Sequence, residues 1–423
     1  MTDVEQRLEN TRLPRALTPF RHSAYRRLAV ALVLATFAGG VWTVGLVWEV
    51  IRIGGGPAQL SVVSTAAAVG VLLPALLGGV VADRVPQKVI LLCVAAIEFV
   101  AMSVVALLSV ADLTLLWHLG VVGFAIGTAM AFYYPAYSAW LPALVPEEDL
   151  LAVNGFEGMV RPTIGQAIGP AVAGVLVGAV SPAAALSIAA VSSVAGLLAL
   201  TTVPLTPVRR DADQPVRSVG HDLREGFVYM ARTPWLLATL LFASLMIFVI
   251  MGPLEVLVPF LIKDKLGGDA GDHAMVLAAF GIGGAVGSMA MASLRMPRRY
   301  LSVMNLLWGV GCLPFVVMGM ATQIWMLVVA ALVLGAMFSA PMVIWGTLLQ
   351  RRVPPHLLGR VASLDFFVSV SLMPVSMALA GPVSEAIGLR TTFLVAGVVP
   401  TFAAIAAVVL ARLPQDELAH PLA

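Results

Sequence analysis

The sequence is short of charge. Only 11% of its 423 residues are Asp, Glu, Lys or Arg, while 60% are hydrophobic and the mean hydropathy is +0.97. A soluble domain is about a quarter charged, so the deficit excludes an ordinary water-soluble fold and implies lipid as the solvent. Cysteine is scarce too. Cys93 and Cys312 both lie inside apolar runs, which excludes a disulfide framework and leaves packing as their role. The six histidines are scattered, so neither a metal site nor any other cofactor is expected. There is no G-x-x-x-x-G-K-[ST] run to bring ATP to the chain and no nucleophile motif to make it an enzyme. A net charge of +2 is too small for a nucleic-acid partner. The first 27 residues carry Arg7, Arg12, Arg15, Arg21, Arg26 and Arg27 and no short apolar core with a small-residue cleavage site, so they do not read as a signal peptide.

What the chain has in abundance is apolar runs of membrane-spanning length, about 20 residues each. Twelve are expected: 28–50, 58–82, 89–110, 114–138, 150–179, 183–203, 235–262, 273–294, 300–320, 323–348, 360–386 and 390–411. The long polar interruption, 205–233, holds Pro207 and Pro215 and then an amphipathic stretch, SVGHDLREGFVYMAR, expected to lie on the membrane surface. With the N-terminus inside, the outer segments hold only Arg52, Lys263, Lys265 and Arg390. Arg161 falls within a helix, and every other basic residue is on the inner side. Both termini are therefore expected in the cytoplasm, in a plasma (inner) membrane. The expected domains are a tail, 1–27; a six-helix bundle, 28–204; a linker, 205–233; a second bundle, 234–412; and a tail, 413–423.

The halves repeat. Pro86-Gln87-Lys88 opens the third helix and Pro297-Arg298-Arg299 the ninth. Val145-Pro146 precedes the fifth and Val353-Pro354 the eleventh, and in that same register Glu157 falls on Asp365. Parallel repeats of this kind place a substrate site between the halves.

Between the second and third helices the chain reads GGVVADRVPQKVI. Gly79, Asp83, Arg84 and Lys88 resemble the G-x-x-x-D-R-x-G-R-R motif of the major facilitator superfamily, with Pro86 where the family has Gly and Gln87 where it has a basic residue. In the fifth helix IGQAIGPAVAG is similar to the family's antiporter motif, G-x-x-x-G-P-x-x-G-G, through Gly165, Gly169, Pro170 and Gly174, with Ala173 in place of one Gly. The entry to that helix, LPALVPEEDLLAVNGFEGMVRP, resembles the enterobactin-exporter and macrolide-efflux branch. The resemblance implies that Asp83 meets the start of the eleventh helix as an inner gate. It also implies that the Gly165, Gly169, Ala173 stripe packs between bundles, for which Gly283 and Gly287 on the eighth helix offer the matching spacing.

Acids within the spans carry the most information, because each costs about 2.5–3.5 kcal/mol to insert. Glu98 is about 15 Å past Lys88 and Glu255 about 12 Å from Lys263 at 1.5 Å per residue. Glu157 can pair with Arg161 one turn on, as a structural salt bridge. Asp365 is shallower, and Glu49 lies near Arg52 at the outer rim. Glu255 has no local basic partner and lies on the seventh helix, which lines the cavity in the resembled fold. It is the first candidate for proton coupling, ahead of Glu98, Glu157, Arg161 and Asp365. The aromatic run FYYPAYSAW, 132–140, reads as an interfacial belt.

The expected protein is an all-α integral membrane protein of twelve transmembrane helices in two pseudo-symmetric six-helix bundles. It is a monomer whose partners are a small-molecule substrate, protons and the lipid bilayer. The expected function is proton-coupled export of lipophilic or amphipathic compounds. A lipid flippase or a small-metabolite facilitator stands as the alternative within the class, and a non-transporting receptor or scaffold outside it.

Overall fold

In the computed structural model, which describes residues 15–75, 81, 85–146, 149, 153, 156–158, 160–206, 219–294, 296–354 and 357–421, the apolar runs are helices. Among the described residues there is no strand, and eleven helices are long and apolar enough to cross a membrane. The first half holds α1 (Ser23–Arg52), α2 (Pro57–Leu72), α3 (Gln87–Val110), α4 (Leu116–Leu144), α5 (Phe156–Ala179) and α6 (Pro182–Thr201). Of these α2 is the short one, with 16 residues, and it runs toward residues outside the described set. The linker helix is α7 (Val219–Arg232). The second half holds α8 (Pro234–Lys265), α9 (Ala270–Ser293), α10 (Tyr300–Met320) and α11 (Ile324–Arg352). Next come α12 (Leu358–Ser371) and α13 (Met373–Ile387), two parts of one span parted at Leu372, then α14 (Leu389–Leu410) and a short α15 (Leu413–Ala419).

Local chemistry sets the ends. Pro57, Pro182 and Pro234 sit in first turns, where an N–H would have no partner. The Asp269 side chain accepts from the N–H of Gly271 at 2.8 Å and of Asp272 at 3.1 Å and caps α9. Gly388, at φ +85°, makes the sharp reversal between α13 and α14.

The halves pack by the same rules. Helix α1 lies on α6 as α8 lies on α14, α3 on α6 as α10 on α14, and α2 on α4 as α9 on α11. The contacts between halves are images of each other as well, α2 on α13 and α5 on α9. The outer surface is apolar: Leu107, Val121, Leu241, Val286 and Leu410 are all exposed, as a lipid-facing surface requires. Cys312 is buried, but Cys93 is exposed on α3 and does not pack as expected.

The small-residue stripes are where expectation and structure part. Gly283 and Gly287 do not meet the first half. A Cβ at either would strike the backbone of α11, at Leu332 and Ala336. Gly165 and Gly169 face α1, where their Cβ atoms would come to 2.9 Å from Thr36 and from Gly40. Both stripes hold single halves together. The contact between halves is made by Gly174, 2.8 Å in the same sense from Ala274, by Gly281, 2.8 Å from Gln166, and by Gly381, 2.6 Å from Ala58. A small-xxx-small pattern requires a close helix neighbour but does not choose which one.

At the end bearing both termini, charged groups fasten the helices. Arg27 and Lys88 donate to the carbonyls of Thr202 and Thr201 at the last turn of α6, at 2.6 and 2.8 Å, where the helix dipole favours cations. Thr18 and His22, in and just after the turn preceding α1, reach Asp149 at 2.6 and 2.9 Å. These two bonds hold the Asp149 carboxyl below the usual carboxylate range. In the second half Glu417 of α15 accepts from the N–H and hydroxyl of Ser302 at 2.6 and 3.0 Å.

Candidate functional site

Two acids occupy matching places in the two halves. In α5, Glu157 is buried and accepts a hydrogen bond from the Tyr137 hydroxyl of α4 at 2.6 Å. In α12, Asp365 is half-buried and accepts from the Trp345 indole N–H of α11 at 2.9 Å. The spacing from aromatic donor to acid is the same in both copies. The residue one turn beyond each acid faces it again. Arg161 lies 3.7 Å from Glu157, and the Ser369 hydroxyl lies 3.3 Å from Asp365. The sequence register that aligned Glu157 with Asp365 therefore also aligns Tyr137 with Trp345 and Arg161 with Ser369.

The surroundings differ. The Arg161 guanidinium sits 5.8, 5.9 and 5.8 Å from the ring centroids of Tyr133, Tyr134 and Tyr137. Cation–π attraction of this kind is worth about 0.5–2 kcal/mol, and together with the carboxylate it neutralises the corner from within. These tyrosines belong to the run read as an interfacial belt. Tyr133 and Tyr137 instead point inward and stack on each other at 5.5 Å. Around Asp365 the wall is tryptophan, with Trp235 and Trp308 edge-on to Trp345 at 6.2 and 6.5 Å. The nearby cation, Arg352, lies 4.7 Å over Trp235 and pairs with Asp416, not with Asp365.

The remaining acids stand apart. Glu98 is half-buried and lines a small, partly open cavity of about 30 Å³ inside the first half with Tyr133, Tyr137 and Ser193, and among the described residues nothing bonds to it. That volume holds about one water. Glu255 lies on a π-turn of α8, Pro253–Leu257, and is exposed between buried neighbours, also with no bonded partner among the described residues. Helix α5 has a π-turn too, at Arg161–Ile168, directly after Glu157. Such turns recur at functional sites. Glu49 is fully buried and held by Arg52 through two bonds of 2.8 Å, which spends both residues on structure.

Of the motif loop, Gly79, Asp83 and Arg84 lie outside the described residues, and Lys88 is committed to α6. Among the described residues no group of three His, Cys, Asp or Glu side chains could hold a metal ion. The aromatic donors were missed from sequence, although the repeat that paired the acids pairs them as well.

The comparisons with known proteins agree with this architecture. A model of the family described as transmembrane secretion effector, a branch of the major facilitator superfamily, matches residues 15–421. The chain belongs to that family. This transporter is 26% identical over 346 residues to macrolide efflux protein A of Streptococcus pyogenes, covering 79% of the chain and 84% of the relative. It is 25% identical over 406 residues to the multidrug efflux pump Tap of Mycolicibacterium fortuitum, covering 92% and 96%. Its fold matches that of the nucleoside transporter NupG, with a TM-score of 0.74 at 13% identity over 92% of this chain and 100% of that one. It also matches a POT family transporter, with a TM-score of 0.72 at 14% identity over 92% and 96%. The protein is a multi-pass membrane transporter, not an enzyme.

Proposed function

We propose that the transporter exports lipophilic or amphipathic small molecules by proton-coupled alternating access. It acts as a monomer with both termini in the cytoplasm and with six-helix domains at 28–204 and 234–412. The observation that carries the reading is the symmetry of the contact between halves. Gly174 of α5 and Gly381 of α13 each receive the opening residues of a helix from the other half, Ala270 and Gly271 of α9 and Pro57 and Ala58 of α2. These two contacts lie toward the end opposite the termini, and Gly281 of α9 continues the seam inward against Gln166 of α5. A transporter that opens at alternate ends needs one such seam at each. Export, rather than uptake, is supported by the efflux relatives.

The reading gives Glu255 the coupling proton. It is exposed on the π-turn of α8 and unpaired among the described residues, whereas Glu157 is engaged by Arg161 and Glu98 is half-buried beside a water-sized cavity within the first half. A lone carboxylate in a membrane is costly when charged and tolerable when protonated. The loop from Gly79 to Lys88 serves as the inner gate in this reading, with Asp83 as its latch. The test is efflux of dyes and antibiotics from loaded vesicles with and without an imposed pH gradient. Wild type should follow the gradient, and Glu255→Gln should transport without following it. Efflux indifferent to the gradient in wild type would remove proton coupling. No efflux of any compound would leave a flippase, a facilitator or a scaffold.

A further inference from the structure

We infer that the linker helix α7 seats on the headgroups of anionic phospholipids, in the leaflet at the end of the molecule that bears the termini. How the helix is held comes first. Met230 is buried and Tyr229 half-buried, and α7 packs against α12 and α8. The Tyr229 hydroxyl donates to the carbonyl of Arg352, the last residue of α11, at 3.3 Å. Arg352 in turn donates to the Tyr300 hydroxyl of α10 at 3.4 Å, pairs with Asp416 and lies over Trp235. The helix is therefore fastened to the second half, and the face it turns outward is fixed with it.

That face carries Arg224, Phe227 and Ala231, all exposed and spaced i, i+3 and i+7 along one side of the helix. Arg232 adds a second exposed guanidinium at its end. A phenyl ring 57% exposed between two arginines suits the membrane interface, where an apolar ring enters the acyl boundary while cations meet the headgroups. Among the described residues nothing pairs with Arg224 or Arg232. The same holds for the exposed Arg299 and Arg351, which adjoin Tyr300 and Arg352 in the knot that fastens α7. The acids described nearby are committed elsewhere. Asp416 pairs with Arg352, Glu417 caps Ser302, and Glu225 is half-buried and engaged.

A general preference for positive charge at this end would place basic residues in both halves. It does not account for the difference between them. In the first half Arg26, Arg27 and Lys88 donate to the carbonyls of Phe20, Thr202 and Thr201. In the second half the guanidinia of α7 stand free beside an exposed ring. A guanidinium fits phosphate oxygens with two parallel hydrogen bonds, and a leaflet surface offers such phosphates next to an acyl phase. A soluble anion would meet the arginines and leave Phe227 in water.

The test uses the purified full chain in mixed micelles of phosphatidylglycerol and phosphatidylcholine, with the retained lipid counted by native mass spectrometry. Wild type should retain phosphatidylglycerol in preference. Arg224→Gln with Arg232→Gln should lower that preference about tenfold or more, since each basic side chain at an anionic surface contributes several-fold. Arg26→Gln with Arg27→Gln should leave it nearly unchanged, because those guanidinia are engaged by carbonyls. A second measurement places a spin label at Phe227→Cys, in a chain carrying Cys93→Ala and Cys312→Ala, in vesicles of the same two lipids. The label should collide more with oxygen, which dissolves in the membrane, than with a water-soluble nickel chelate. Thermal melts establish that each variant is folded, and the label decides alone if the arginine variants are not. A label that meets the nickel chelate freely overturns the inference. So does a phosphatidylglycerol preference that is the same in wild type and in the α7 pair, or one that falls equally in both arginine pairs. The direction of transport does not enter, so failure here leaves the exporter reading as it stands.

Discussion

The corner at Glu157 and the corner at Asp365 are built from the same frame and differ in one functional respect. The first holds a guanidinium of the chain beside its carboxyl, and the second holds a hydroxyl in that place. The aromatic hydrogen bond, the helix pair and the one-turn spacing are common to both. What changed is Arg161, which is Ser369 in the other half, together with Tyr133 and Tyr134 beside it, which are Pro341 and Met342 there. The lesson concerns duplicated folds in general. The packing that makes two halves alike is spread over many residues, whereas the asymmetry that a directional transporter needs can rest on a few.

The comparison can be broken most severely at the seam. Leu at Gly174 or at Gly381 would push the opening turn of α9 or of α2 away from the other half. Transport should be lost in both variants, with stability lowered by about 1–3 kcal/mol. Loss in one and not the other, read as efflux from vesicles, would show that the two contacts are not equivalent. Next in size is Arg161→Ala, which leaves Glu157 buried without its cation. A fully buried pair broken in this way costs about 3–5 kcal/mol, and the half-exposed Arg161 should bring that to about 2–3 kcal/mol in a denaturation measurement. Ser369→Ala should cost about 1 kcal/mol at most. Equal losses would mean that the two corners are not electrostatically distinct.

A smaller effect is expected from removing the donor. Tyr137→Phe, which removes only the hydroxyl, should destabilise by about 1–3 kcal/mol because it leaves a buried carboxyl without its donor. The smallest effect lies at the rim. The Asp149 carboxyl is held low by Thr18 and His22. Docking of the first turn is therefore complete above the ordinary carboxylate pKa and is lost as pH falls through the lowered folded-state value. Hydrogen exchange of the turn Arg15–Arg21 should rise across that window, and Asp149→Asn should abolish the rise. The Glu417 clamp of the other half offers a control at the opposite terminus.

Much of this was legible in the sequence. Apolar length located the spans, since lipid requires about 20 residues whatever the fold. The amphipathic stretch within the 205–233 break is helix α7. The alignment of Glu157 with Asp365 came from two proline-marked helix entries and proved structurally meaningful at the side chains. What was not legible is instructive. The partner of a glycine stripe depends on which helix lies opposite, so Gly283 and Gly287 were assigned across the seam when they bind α11. The tyrosines at 133, 134 and 137 looked like a belt because aromatics favour the membrane interface generally. Only three-dimensional convergence on Arg161 shows them as a cage. Exposure of Cys93 could not be read from an apolar run, because the lipid side and the core side of a span are equally greasy.

The departure from α geometry just beyond each acid has a mechanical consequence. In α5 it is the π-turn Arg161–Ile168, and in the matching stretch of the second half it is the parting at Leu372 between α12 and α13. A turn with one residue too many can hand that residue up or down the ladder, since each N–H finds a carbonyl in either register. The segment on one side of the turn then swivels relative to the other without either unravelling. Each half thus carries a joint in the very helix that forms the seam, set between the acid and the small residue that meets the opposite half. One end of that helix can turn while the other keeps its grip.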